Sequence, residues 1–303
     1  MNWLFPLAKR FIAGHDFESA KPVIDKLIKD GYRVSIDYLG ELSKTTGDCE
    51  VAYAQYSKII AYYQYLQHYK NNDFGIDISV KPSQLGLKFD KSLCYEYMHS
   101  LVAQARTYGM TVRLDMEDDS LVEDTIDLCL HLKKEHSNIG VALQTNMYRT
   151  KEDLQTLMNN KISIRLVKGA YKGHNKIAYQ NKKQIKDLFL KQSLMMLSER
   201  CRSYYFLKDN GTPIHAIGTH DLELIQSIIG YLKTIKIQKS DFDFELLYGI
   251  RRDLSKELKD KGYRVRLYVP FGTEWLPYTL RRLKEFKNLK FVIFNIIREI
   301  FRF

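Results

Sequence analysis

Glycine-rich phosphate loops are missing from this chain: no Gly-x-Gly occurs anywhere, which excludes the Rossmann fingerprint and the Walker loop. Neither H-E-x-x-H nor G-x-S-x-G occurs, so the helical zinc-protease motif and the nucleophile elbow are excluded as well. Cysteine is scarce. Cys49, Cys94, Cys129 and Cys201 are scattered without a C-x-x-C pair, which suits packing residues in a reducing, cytoplasmic setting better than a disulfide framework or a zinc site. His131 and His136 lie five apart and would not share a helix face, so no metal site is expected. No window approaches the roughly 18 uninterrupted apolar residues of a membrane span. The apolar start MNWLFPLAKR is short for a signal peptide, and its cations follow the apolar stretch instead of preceding it. A soluble or peripheral protein is expected.

What the chain does have is positive charge, +11 over 303 residues, and enough apolar residues, 45%, to bury one large core. The charge alone is compatible with nucleic acid, an anionic membrane surface or an anionic cofactor. No nucleic-acid-binding motif is present, and the tyrosines follow helix and strand-core spacing, so no nucleic-acid partner is expected. Eight β-branched or alternating runs occur, at 33–39, 75–81, 111–117, 139–145, 163–169, 213–219, 242–248 and 264–270. Helical spacing fills the gaps, as at Val122, Ile126, Cys129 and Leu130 after the acidic start Asp118-Asp119-Ser120. Helices are also expected at 18–30, stopped by Gly31, and near 48–70; Thr150 with Asp153 reads as a capping box, and the lysine-rich stretch 172–191 as a solvated helix. Eight alternations predict an α/β fold, a (β/α)8 TIM-like barrel with extra N-terminal helices, with an open doubly wound sheet as the competitor. No domain boundary or linker is evident, so residues 1–303 are read as one barrel domain with a terminal amphipathic helical segment at 281–303.

In such a barrel the chemistry lies at the C-terminal ends of the strands. Those ends carry Lys81, Asp115 with Glu117, Gln144, Arg165 with Lys168, Thr219 with His220, and Tyr268. Charge inside a strand is costly unless it is paired or meets a ligand, so six strands ending this way point to a polar pocket, with a structural ring of ion pairs as the competing reading. A nucleotide cofactor would have to be held without a glycine-rich loop. Arg165, Lys168 and the backbone at Gly169 are placed to do that. A second segment, RLYVPFG at 266–272, feeds a helix with the adjacent pair Arg281-Arg282 and with Glu285 one turn on.

These segments, with LGE at 39–41, SVKPSQLG at 79–86, RLDMED at 113–118, Gln144, RLVKGAY at 165–171, THD at 219–221 and FELLYGIR at 244–251, resemble proline dehydrogenase of the monofunctional bacterial type. The resemblance covers nearly the whole chain, in the family's order. It implies an FAD-dependent barrel enzyme that oxidises L-proline to Δ1-pyrroline-5-carboxylate, with hydride passing to flavin N5 and electrons to a membrane quinone. It implies that Arg165 contacts the flavin near N5, and that Gln144, Lys168, Gly169, Ala170, Thr219 and His220 help to hold FAD. Lys81, Arg281 and Arg282 would receive the proline carboxylate, and Tyr268 and Tyr278, with Leu247 and Tyr171 nearby, would wall the ring. Asp115 and Glu285 would orient the cations, and Glu41 would pair with Arg282 as a gate.

The chemistry is consistent with those roles. Proline offers one carboxylate and an apolar ring, which asks for guanidinium donors at one end and aromatic or aliphatic surface at the other. Arg281 and Arg282 diverge by about 100° on a helix, so both reach one ligand only if it sits over that helix. The chain departs from the family after Gly-Ala-Tyr, where Lys172-Gly173-His174-Asn175 stand in place of the usual acidic residues. The segment from Arg281 to Phe303, cationic and ending in FVIFNII and REIFRF, suits an interfacial helix on the anionic inner face of the cell membrane, with a buried barrel-closing helix as the alternative. Two other functions stay open at this point. One is a Schiff-base aldolase using Lys81 or Lys168 as a nucleophile of lowered pKa, and the other is a non-enzymatic basic membrane-binding module.

Overall fold

A computed structural model describes residues 8–40, 42–70, 75–169, 174–203, 214–235 and 237–286; at 66–70, 199–203 and 283–286 it describes the backbone only. Eight parallel strands close into a barrel in sequence order: β1 (Arg33–Tyr38), β2 (Ile76–Val80), β3 (Thr111–Leu114), β4 (Ile139–Gln144), β5 (Ser163–Val167), β6 (Ala216–Gly218), β7 (Asp243–Leu247) and β8 (Val265–Phe271). β8 closes on β1 with Arg33 opposite Arg266 and Tyr38 opposite Phe271. The open-sheet alternative is thereby excluded. Helices lie between the strands: α1 (Phe17–Lys29), α2 (Thr46–Lys70), α3 (Lys91–Arg106), α4 (Val122–Lys133), α5 (Thr150–Asn159), α6 (Lys182–Ser203), α7 (Leu222–Leu232), α8 (Arg252–Asp260) and α9 (Trp275–Phe286).

Strand side chains alternate between two environments, because successive residues point to opposite faces. One parity is apolar and fully buried between sheet and helices, as at Val34, Ile36, Ile76, Ile78, Val112, Leu114, Ile164 and Leu166. Burying each such side chain contributes about 1.5–3 kcal/mol. The other parity fills the barrel with polar groups: Ser35 and Asp37, Asp77 and Ser79, Arg113, Ser163 and Arg165, Asp243 and Glu245, and Arg266 are all buried. Near the N-terminal ends of the strands, Arg113 donates through Nε and Nη2 to Asp77 Oδ2 at 3.1 and 3.0 Å. Arg266 binds Asp243 at 2.8 Å and Asp77 at 3.2 Å. Gly140 makes room for this layer: a Cβ there would lie 2.8 Å from the Ser163 carbonyl and 3.1 Å from Arg113 Nη1.

Local signals set the helix starts. Asp16 and Ser19 form a reciprocal capping box for α1, and Asp90 and Asp221 cap α3 and α7. Asp118 caps a 3-10 turn, Asp119–Leu121, that leads into α4. Two expectations need correction. Thr150 is not a capping residue; Arg149 holds that position, the Thr150 hydroxyl donates to the Gln144 carbonyl, and Asp153 pairs with Arg149 at 2.7 Å. The lysine-rich helix begins at Lys182, while residues 174–181 form turns with a bridge between Met147 and Ala178. The strands are also shorter than the apolar runs, because Asp115 and Glu117 already belong to the loop after β3. Cys49, Cys94 and Cys129 are buried free thiols, as packing residues should be. Among the described residues no helix is long and apolar enough to cross a membrane.

Candidate active site

At the C-terminal end of the barrel the inward residues converge on Arg165. Its Nε donates to Glu245 at 2.8 Å, Nη1 to Asp115 at 2.7 Å, and Nη2 to the hydroxyls of Ser79 at 2.8 Å and Ser35 at 3.1 Å. Its guanidinium also lies 5.1 Å from the centre of the Tyr268 ring. Five strands or their ends therefore hold one side chain. Burial disfavours its charge, but Glu245 and Asp115 outweigh that and hold the group more basic than an ordinary arginine.

Asp115 is the hub. Besides Arg165 it accepts the Tyr268 hydroxyl at 2.6 Å and lies 3.5 Å from Lys81 Nζ. Lys81, at the end of β2, makes a short ion pair with Asp37 of β1. Burial works against the Lys81 charge, yet Asp37 and Asp115 hold its pKa well above the usual value. Burial raises the Asp37 pKa, with Asp115 adding to it against the pull of Lys81. The Tyr268 phenol is likewise raised, by burial and by Asp115. Glu117 serves a neighbouring purpose: it accepts the backbone N–H and hydroxyl of Ser83, fastening the Pro82–Leu85 turn to the loop after β3.

On the other side of the mouth, Gln144 donates to the Glu117 carbonyl at 2.9 Å, while its Oε1 is buried without a hydrogen-bond partner among the described residues. Lys168 pairs with Asp221 at 2.8 Å, and Asp221 also caps α7, so the ammonium is fixed to a helix start. Gly169 has φ +112°, and a Cβ there would run into the Asn146 side chain, so only glycine suits this position. His220 Nε2 accepts the Leu247 N–H at 2.9 Å, which leaves the ring proton on Nδ1. Burial, then the charges of Arg282, Arg251 and Lys168, push its pKa down to about 3, so the ring is neutral. The Thr219 hydroxyl accepts the Asp221 N–H at 3.2 Å.

α9 brings the remaining groups to this face. Arg282 is buried and lies 5.2 Å from the Tyr278 ring, while Arg281, its neighbour, is only partly buried, as their divergence on the helix requires. Tyr278 packs with Leu39, Ile250 and Leu247, which places α9 against the ends of β1 and β7. Glu41, Ala170 and Tyr171 lie outside the described residues, as does the side chain of Glu285. The sequence reading gave no role to Asp37, Glu245, Ser35 or Ser79. The available signal was parity: Ser35 and Asp37 alternate along β1, as Asp77, Ser79 and Lys81 do at β2, and Glu245 lies two residues after Asp243.

A barrel whose charged groups gather at the carboxyl ends of its strands, over a lower layer of mutually paired charges, has the architecture of a (β/α)8 enzyme. A family model described as proline dehydrogenase matches residues 20–292. Proline dehydrogenase 1 of Bacillus subtilis (strain 168) is 33% identical over 293 residues, covering 96% of this chain and 91% of the relative. Proline dehydrogenase of Deinococcus radiodurans is 31% identical over 97% of this chain and 91% of its own length. Among solved structures, proline utilization A from Bdellovibrio bacteriovorus inactivated by N-propargylglycine superposes with a TM-score of 0.84 at 21% identity, over 95% of this chain and 33% of that longer one. That last likeness is one of fold. The chain belongs to the proline dehydrogenase family.

Proposed function

We propose that the protein oxidises L-proline to Δ1-pyrroline-5-carboxylate, the first step of proline degradation, with FAD taking the hydride at N5 and a membrane quinone receiving the electrons. The observation that carries the reading is the fourfold anchoring of Arg165 at the barrel mouth. A guanidinium held by four partners is oriented before substrate arrives, so it stabilises developing negative charge without reorganising.

The residues at the mouth fit a flavin, whose ring edge presents both donors and acceptors. Gln144 Oε1 is a buried acceptor lacking a partner among the described residues. Neutral His220 offers Nδ1–H, and Arg165 and Lys168 offer cations, with Thr219 and the backbone at Gly169 beside them. Ala170 and Glu285 complete the proposed cofactor set from the motif match. Arg281, Arg282 and Lys81 would take the proline carboxylate, and Tyr268, Tyr278, Leu247 and Tyr171 would enclose its ring. Asp115 holds the Arg165 and Lys81 cations in place. Lys81 is a poor Schiff-base nucleophile, because Asp37 and Asp115 keep it charged.

The proposed electron route accounts for the cationic segment 281–303, of which 287–303 lie outside the described residues; it would seat the barrel on an anionic membrane near its quinone. Stronger partition onto anionic than onto neutral vesicles is the expected result for that segment. For the reaction, the purified protein should be yellow and should bleach when L-proline is added without oxygen. A colourless protein, or one that traps a carbonyl substrate under borohydride, would overturn the reading.

A further inference from the structure

Away from the mouth, α3 brings His99 to the adjacent pair Glu135-His136 in the turn after α4. His99, Glu135 and His136 each offer one ligand atom, and these atoms all lie within 4.8 Å of one another. His99 Nε2 is 3.2 Å from Glu135 Oε2, and the two imidazole centres are 4.6 Å apart. His136 is the group that needs explaining. It is 7% exposed, and neither ring nitrogen has a hydrogen-bond partner among the described residues. Buried imidazoles are normally satisfied, so an unpartnered imidazole with a ring nitrogen close to a second histidine and a carboxylate calls for a ligand.

We propose that His99, Glu135 and His136 form a binding site for a divalent transition-metal ion, with Zn2+ the best match to two imidazoles and one carboxylate. Such an ion draws its ligand atoms to about 2.0–2.2 Å from itself, and hence to roughly 3.3 Å from one another. His99 and Glu135 are half-exposed and can swing inward by the remaining distance, while buried His136 supplies the fixed corner. Burial and the charge of His99 lower the His136 pKa, which favours the neutral ring with one nitrogen lone pair for a metal. Tyr95 donates to Glu135 Oε1 at 3.0 Å, orienting the carboxylate so that Oε2 faces the histidines. Glu135 acts on His136 in the sense opposite to His99 and Arg106. The exposed side leaves room for water as a further ligand.

His136 lies three residues before β4, so the site sits towards the N-terminal end of the barrel, opposite the mouth. An ion there would pin α3 to the turn joining α4 and β4. It would act on stability and leave proline turnover unchanged. The test is calorimetric titration of Zn2+ into the flavin-loaded, chelator-stripped protein, with the melting temperature followed alongside. One Zn2+ per chain should bind and raise the melting temperature. His99→Ala, at a half-exposed position that folding does not require, should weaken binding by about tenfold or more and remove the Zn2+-dependent rise, and Glu135→Gln should weaken binding similarly. Both variants should match the parent in chelator and in proline turnover. Absence of binding by the parent at about 0.1 mM free Zn2+, a range in which a three-ligand site should be filled, would overturn the proposal. So would undiminished binding by His99→Ala.

Discussion

The barrel holds two charged layers of opposite balance. In the lower layer Asp77 and Asp243 face Arg113, Arg266 and Arg264, so cations are in excess and both carboxylates are held below their usual range despite burial. In the upper layer Arg165 and Lys81 face Asp37, Asp115 and Glu245, so carboxylates are in excess; burial leaves Asp37 raised while both cations are made more basic. The lower layer is complete within itself. Beside the upper layer, the charges of Arg282 and Lys168 both bear on neutral His220, and Gln144 Oε1 is buried without a hydrogen-bond partner among the described residues. Similar ion pairs thus carry opposite charge balance, and position along the barrel axis decides which.

The largest expected effect separates the layers by stability. Arg266→Met should cost about 3–5 kcal/mol, because it strands buried charge. The lower end of that range is expected, since Asp77 keeps Arg113 and Asp243 keeps Arg264. Flavin reduction per folded molecule should be unchanged; a slowed reduction in this variant would show that the two layers are not functionally distinct.

Next comes Arg165→Met. It also strands carboxylates and should lower the melting temperature, but its distinguishing effect is on rate. Reduction of bound flavin by proline should slow by about 10²–10³, as for loss of one preorganised electrostatic donor, and by more than proline binding weakens. Rapid-mixing kinetics normalised to bound flavin measure this, and an unchanged rate would remove Arg165 from the mechanism.

The pH dependence sharpens the contrast further. As pH falls through about 6.5 the unfolded chain protonates at His220, whereas the folded protein does not until about 3, so the unfolded state gains protons and stability drops on acidification. His220→Gln should flatten the melting-temperature profile between those limits. The lower-layer aspartates act at still lower pH: their contribution persists above the ordinary carboxylate range and is lost as pH falls beneath it. Parallel profiles for parent and His220→Gln would mean that the imidazole titrates normally.

The smallest effect is expected at the edge of the site. If Glu41 pairs with buried Arg282 only when the gate closes over substrate, the empty protein holds no such contact to lose. Glu41→Ala should then raise the KM for proline and leave the melting temperature nearly unchanged. A sharp melting loss with intact kinetics would make Glu41 a structural residue at the end of β1.

Strand ends alone marked Lys81, Asp115, Gln144, Arg165, Thr219, His220 and Tyr268, and the fold brings them to the C-terminal end of the barrel. Asp37 and Glu245 lie within β1 and β7, where only strand parity marks them as inward. The Thr150 capping pattern misled because it matched spacing while the loop from β4 placed the cap one residue earlier, at Arg149. Sequence sets His136 near His131, whereas the fold sets it against His99 of α3.

The chain by itself determined its alternating elements, its family and the chemical character of its strand ends, because hydrophobic period and turn residues act over a few positions. Pairing across the barrel was decided only by closure. Arg165 meets Glu245 at a separation of 80 residues, and Ser35 at 130. Nothing local relates those positions; they meet because eight registers add up around a closed sheet, which sets inward side chains at one height opposite one another. The same closure sorted one set of buried charges into the lower layer and another into the mouth of the barrel.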